Sequence, residues 1–144
     1  MMFMGEYRHS LDAKNRLIIP AKFREGLSGT FVVTKGLDGC LAIYTMDKWN
    51  AMIARLAQIP GTKKEARLYM RSLTSKAQEC TLDSQGRIPL PQFLLNTANI
   101  EKNCVVVGVA DYIEIWPEER WDTYDEEASD SFESVAESLT EYLQ

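Results

Sequence analysis

Five cations, Arg8, Lys14, Arg16, Lys22 and Arg24, fall within seventeen positions of the chain, with His9 among them. Lys14 and Arg16 flank Asn15 in the segment Asp12-Ala-Lys-Asn-Arg16. That composition reads as a hairpin tip, because Asp opens turns and Asn tolerates positive φ. Two cations that project from such a tip can reach phosphate oxygens or the floor of a nucleic-acid groove. Asp12 has a different task. A carboxylate at a turn start accepts backbone N–H bonds from residues two or three on and fixes the loop. An Asp12–Arg16 ion pair is equally compatible with the spacing and is the more conservative reading. The preference for nucleic acid rests on the density of cations, not on that pair.

The same turn occurs twice. Asp12-Ala-Lys-Asn-Arg16-Leu-Ile-Ile-Pro20 recurs 71 residues later as Asp83-Ser-Gln-Gly-Arg87-Ile-Pro-Leu-Pro91. Phe31-Val-Val-Thr then matches Cys104-Val-Val-Val, and Cys40-Leu-Ala-Ile-Tyr44 through Trp49 matches Tyr112-Ile-Glu-Ile-Trp116 through Trp121. Each copy is too small to build a sound core alone, so the two are expected to share one as an intimate pseudo-dimer. Copy two is poorer in charge. Gln85 replaces Lys14, Phe93 replaces Lys22, and Arg24 has no counterpart. Copy one is therefore expected to be the main contact and copy two mostly structural, with Arg87 still available.

The elements that position these residues follow from pattern. Glu6–Leu11 and Gln78–Leu82 alternate as strands do. Gly86 supplies the positive φ in copy two that Asn15 supplies in copy one. Leu17–Ile19 resumes a strand, and Pro20 opens a short helix over 21–27 that Gly29 ends. Residues 30–35 and 40–44 form a hairpin, with Gly36-Leu-Asp-Gly39 read as its turn rather than as a clamp for nucleic acid. Trp49, Met52, Ile53, Leu56 and Ile59 mark a helix that Pro60-Gly61 breaks. Thr62-Lys-Lys-Glu65 has the form of a capping box for a second helix, with Lys63, Lys64, Arg67 and Arg71 on its outer face. Pro89 within a strand of copy two implies an edge or a bulge. After Pro117, Trp121, Tyr124, Ala128, Phe132, Val135, Leu139 and Tyr142 recur at helical spacing against an acidic polar side. That stripe needs an apolar surface to cover it, from this chain or from a neighbouring subunit.

Charge is divided along the chain. Residues 1–76 carry 13 Lys/Arg against 6 Asp/Glu, while residues 77–144 carry 3 against 15. A net charge of −5 thus conceals a basic half and an acidic half. No apolar run approaches membrane-spanning length and no signal peptide is legible, so a cytoplasmic protein is expected. Cys40, Cys80 and Cys104 sit in apolar strand-like sequence and read as buried free thiols. With one histidine and no Cys-x-x-Cys, no metal site or other cofactor is expected. Hydrolase triads and phosphate-binding loops are equally missing, so neither an enzyme nor a small-molecule substrate is expected.

The block Gly5-Glu-Tyr-Arg-His-Ser-Leu-Asp-Ala-Lys-Asn-Arg-Leu-Ile-Ile-Pro-Ala-Lys-Phe-Arg24 resembles the N-terminal signature of the MraZ family, and Asp83-Ser-Gln-Gly-Arg87 resembles its second repeat. That family is similar to AbrB- and SpoVT-type regulators but carries two modules in one chain. The resemblance implies a β-rich α+β fold in which two swapped-hairpin AbrB-like modules form a double-split β-barrel with flanking helices. The expected divisions are a first module over 5–49, a helical connector over 50–75, a second module over 76–121 and an acidic helix over 122–144. It also implies a ring-like homo-oligomer that binds double-stranded DNA at tandem repeats upstream of its own division and cell-wall gene cluster. The implied action is usually repression, in the nucleoid. The basic turn falls on Lys14 and Arg16, with Arg87 in copy two. With Arg8, Asn15, Lys22 and Arg24 these make the expected DNA-binding set, and Asp12 and Asp83 stabilise the turns. Asn15 stands where glycine is usual in that turn. The alternative is an antitoxin-like interaction adaptor on the same fold, with the acidic helix as its binding element.

Overall fold

The computed structural model describes residues 2–144. Copy one contributes strands β1 (Phe3–Ser10), β2 (Arg16–Ile18), β3 (Phe31–Lys35) and β4 (Leu41–Thr45). Copy two contributes β5 (Gln78–Cys80), β6 (Arg87–Pro89), β7 (Asn103–Ala110) and β8 (Tyr112–Pro117). Short helices follow β2 and β6: α1 (Ala21–Arg24), continued by a 3-10 turn over Glu25–Leu27, and α4 (Gln92–Thr97). Helices α2 (Met46–Ala57) and α3 (Lys64–Ser75) connect the copies, and α5 (Glu118–Ser138) and α6 (Thr140–Leu143) end the chain.

The sheet order reveals the duplication. Six strands run β1-β7-β8-β4-β3-β5, and β2 pairs with β6 in a separate antiparallel ribbon. Matching strands by repeat, the order reads the same from either edge. Each copy's first strand has crossed over: β1 pairs with β7 of copy two, and β5 pairs with β3 of copy one. This is the swapped-hairpin α+β architecture that the resemblance implies. Neither copy has a complete sheet of its own, which explains how two such small units hold together.

One core lies between sheet and ribbon. Leu17 and Ile19 from copy one meet Ile88 and Leu90 from copy two, and Val33, Ile43, Val106 and Ile115 face them from the sheet. Phe23 of α1 and Leu94 of α4, equivalent in the repeat, plug the two ends and are almost fully buried. Phe23 packs edge-on against Phe3 and Tyr7. The central strands β3 and β4 are apolar on both faces because helices cover the outer one. The hydroxyl of buried Thr34 donates to the Leu73 carbonyl at 2.7 Å and ties α3 to the sheet. Pro89 sits in a two-stranded ribbon, where every strand is an edge and a missing N–H is tolerated.

One expectation is corrected. Thr62 does not cap α3: the helix begins at Lys64, its N-cap position is Lys63, and among the described residues no side chain bonds its first amides. The bend is closed instead by the Lys63 amide donating to the Pro60 carbonyl and by Arg67 Nη1 donating to the Gly61 carbonyl. Each hairpin runs directly into its helix, so the expected divisions at 49/50 and 121/122 lie within α2 and α5.

Candidate nucleic-acid interface

Each Asp-x-x-x-Arg segment folds into the same hydrogen-bonded turn. In copy one, Asp12 Oδ1 accepts from the amides of Lys14 and Arg16, both at 2.9 Å. Asp12 Oδ2 accepts from Arg16 Nε at 2.7 Å. In copy two, Asp83 Oδ1 accepts from the amides of Gln85 and Arg87 at 2.9 Å, and Oδ2 from Arg87 Nε at 2.8 Å. Asn15 with φ 57° and Gly86 with φ 75° make the left-handed step that lets the chain reverse. Hydrogen bonding to the Arg16 amide, then to its guanidinium and the Lys14 amide, holds the Asp12 carboxyl below its ordinary range. The Arg87 amide, the Arg87 guanidinium and the Gln85 amide do the same for Asp83.

The two readings of Asp12 are thus both realised. It fixes the loop and pairs with Arg16. A carboxylate bound by three donors is a scaffold, poorly placed to move protons. Arg16 donates to it through Nε only. Among the described residues, its Nη groups and the Lys14 ammonium have no hydrogen-bond partner, and they remain available to an incoming anion.

The two turns are not separate sites. The Ile19 amide donates to the Gly86 carbonyl, and the Leu90 amide donates to the Asn15 carbonyl, each at 2.9 Å. Arg87 Nη1 lies 3.7 Å from Asp12 Oδ2 across the boundary between copies. Arg24 of α1 donates through Nε to the Ile19 carbonyl at 2.8 Å and packs closely against Gly86 of the other copy. The result is one double turn with a pseudo-twofold axis through it. Lys14 and Gln85 occupy equivalent exposed tips, and Arg16 and Arg87 occupy equivalent half-buried shoulders.

This geometry redistributes the sequence candidates. Lys14, Asn15, Arg16, Arg24 and Arg87 come together, and Lys22 stands exposed on α1 beside them. Arg8 is held elsewhere: its guanidinium bonds Asp122 at 2.7 Å and lies 3.4 Å from Glu118, so α5 meets its charge. Those carboxylates raise the pKa of Arg8 further above its already high value. His9 lies on β1, half-buried and paired with Cys104. Two participants escaped the sequence reading. In the sequence Gln85 reads only as a lost cation, although the repeat alignment places it opposite Lys14. Arg24 reads as a free cation, and no signal in the sequence ties it to Gly86.

Comparison with known proteins agrees with the duplicated turn. The profile of a family described as "MraZ protein, putative antitoxin-like" matches twice, over residues 2–72 and 73–142. The chain belongs to the MraZ family. Its similarity extends to individual MraZ proteins. It is 51% identical over 141 residues to the "Transcriptional regulator MraZ" of Ligilactobacillus salivarius (strain UCC118), covering 98% of this chain and 99% of that one. It is 48% identical, with the same coverage, to the "Transcriptional regulator MraZ" of Natranaerobius thermophilus. The two MraZ matches divide at 72/73, inside α3, and each includes one Asp-x-x-x-Arg turn.

Proposed function

We propose that this MraZ-family chain is a DNA-binding transcriptional regulator that reads double-stranded DNA with the double turn. The observation that carries this reading is the fusion of the two Asp-x-x-x-Arg turns into one rigid, cation-bearing surface. Lys14, Arg16 and Arg87 make the contacts, Lys22 adds a flanking phosphate contact, and Asn15 and Arg24 hold the shape. Arg8 acts through α5 rather than at the DNA. Arginine suits this role because its planar fork matches phosphate oxygens and the guanine edge. The acidic α5 extends from the second hairpin and favours an orientation with the basic surface toward DNA. The relatives' names as transcriptional regulators point the same way. Neither turn offers an unoccupied general base, which accords with a binding protein rather than an enzyme.

The finer reading is a homo-oligomer, ring-like in arrangement, that represses its own division and cell-wall gene cluster from the nucleoid by occupying tandem promoter repeats. One double turn touches few phosphates, and such contacts alone give a Kd on the order of 10⁻⁴–10⁻⁶ M. Several turns held by one assembly raise avidity by ~10²–10⁴ without new types of contact. The test is affinity against the number of repeats in DNA from just upstream of the gene, at fixed salt. A second series inserts about 5 bp between repeats to rotate one by half a turn. Affinity climbs steeply from one repeat to two and drops on insertion. Equal binding to one repeat and to several refutes the multivalent reading. The adaptor reading is supported by the exposed apolar stripe of α5, and it predicts co-purification of a small basic protein in place of nucleic acid.

A further inference from the structure

Helices α2 and α5 are equivalents in the repeat, and their surroundings differ. Each leaves the last strand of its hairpin and packs its first turns on that hairpin. In copy one the chain then folds back at Pro60-Gly61, and α3 lies against α2, so Met52, Ile53 and Leu56 are half-buried. In copy two, among the described residues, no helix folds back along α5. From Asp125 to Gln144 every residue is exposed except half-buried Ala136. Phe132 is 72% exposed, and Tyr142 is 76% exposed. Between Tyr124 and Leu143 the α5–α6 bend forms an apolar groove of about 530 Å³, with Phe132, Val135 and Leu139 along it. Acidic side chains border the stripe: residues 125–141 hold seven Asp/Glu and no Lys/Arg.

The complementary surface is on the same chain. The outer face of α3 carries Lys64, Leu68 and Arg71, one above another at helical spacing. Leu68 is 61% exposed between the two cations. Residues 46–76 hold seven Lys/Arg against two Asp/Glu. A second α5 cannot fill the groove without setting two acidic helices side by side. An α3 can, with its leucine on the stripe and its cations on the flanking carboxylates.

We propose that the α5–α6 groove of one copy docks on the outer face of α3 of a second copy. The proposal rests on the self-association put forward above and assigns its surfaces. Every copy then offers one donor and one acceptor face, so the contact is heterologous and propagates from copy to copy, closing into a ring where the rotation allows.

Charge reversal on the full-length chain tests this by sedimentation velocity. Variant one carries Lys64→Glu and Arg71→Glu, and variant two carries Glu127→Lys and Glu133→Lys. All four positions are exposed, and circular dichroism confirms that each variant folds. Each variant alone loses the assembly at a concentration where wild type forms it. An equimolar mixture regains it, because the acidic groove of the first fits the basic α3 of the second, and the reversed pair fits likewise. Retention of wild-type size by variant one overturns the proposal, as α5-to-α5 docking would require. Failure of the mixture to reassemble overturns it too. A wild-type protein that is monomeric throughout overturns both this proposal and the self-association reading. Affinity for a single DNA repeat is measured in parallel and stays at the wild-type value in variant one. Its loss with assembly intact would assign the α3 face to DNA instead.

Discussion

Gly86→Ala is the sharpest probe of how the two copies are joined. The residue has φ +75°, a region in which an L side chain costs roughly 1–2 kcal/mol. A methyl group there also meets Arg24: an ideal Cβ would collide with Nε and Cζ and stand 2.9 Å from Cδ. Relief requires Arg24 to swing away and surrender its bond to the Ile19 carbonyl, a charged donor on a backbone acceptor worth roughly 1.5–3 kcal/mol. The two effects together predict a loss of about 2.5–5 kcal/mol in urea unfolding. They separate in the Arg24→Ala background. There the side chain is already gone, and Gly86→Ala should cost only the backbone part, roughly 1–2 kcal/mol. Gly86→Asn is a third point, because Asn15 already occupies the equivalent position at φ 57°. It should relax the backbone part and keep the collision with Arg24. If Gly86→Ala is equally destabilising with and without Arg24, the copies are not coupled through this contact and the reasoning fails.

Other outcomes follow from the same structure. Burial raises the thiol pKa of Cys80 and Cys104 to about 11, and that of Cys40 further still beside Glu114. A thiol reagent near neutral pH should therefore label none of the three in the native protein and all three in denaturant. Arg8→Ala should leave DNA affinity unchanged and increase hydrogen exchange at the start of α5, whose Asp122 it holds. The Asp12 and Asp83 carboxyls lie below their unfolded values, so their stabilisation is present above the ordinary carboxylate range and lost as pH falls through the depressed values. Urea midpoints of wild type and of Asp12→Asn should therefore differ by a constant amount from about pH 8 to pH 5 and converge at strongly acidic pH.

Much of this was legible in the sequence for physical reasons. A duplicated Asp-x-x-x-Arg turn shows in linear sequence because its bonds are local, from Asp12 to residues two and four on. The strands showed through alternation in β1 and through continuous apolar runs in β3 and β7. A shared core was implied by size, since neither copy could bury one alone; the swap was implied only by the family resemblance. What escaped depends on approach between distant segments. Nothing local to Arg24 says that it lies on Gly86, 62 positions away, or that Arg8 is captured by Asp122 across 114. The ranking of copy one over copy two rests on a count of cations along the chain, and the matching placement of Arg16 and Arg87 about the axis through the ribbon was not visible in that count. The capping box at Thr62 failed because its residue types fit and its backbone does not: the Pro60–Lys63 bend takes the position a cap would need.

The central claim is that both shoulders of the double turn touch DNA. It is tested by the affinity of wild type, Arg16→Ala and Arg87→Ala for DNA from just upstream of the gene, measured across a salt series. Each folded variant should lose roughly 1–3 kcal/mol of binding if its arginine reads a base edge. Alternatively, its log–log salt slope should flatten by about one if the arginine neutralises a phosphate. Arg16→Ala should be the more damaging of the two, because Lys14 stands beside it and Gln85 beside Arg87. Two folded variants that bind with wild-type affinity and wild-type salt dependence would contradict the account.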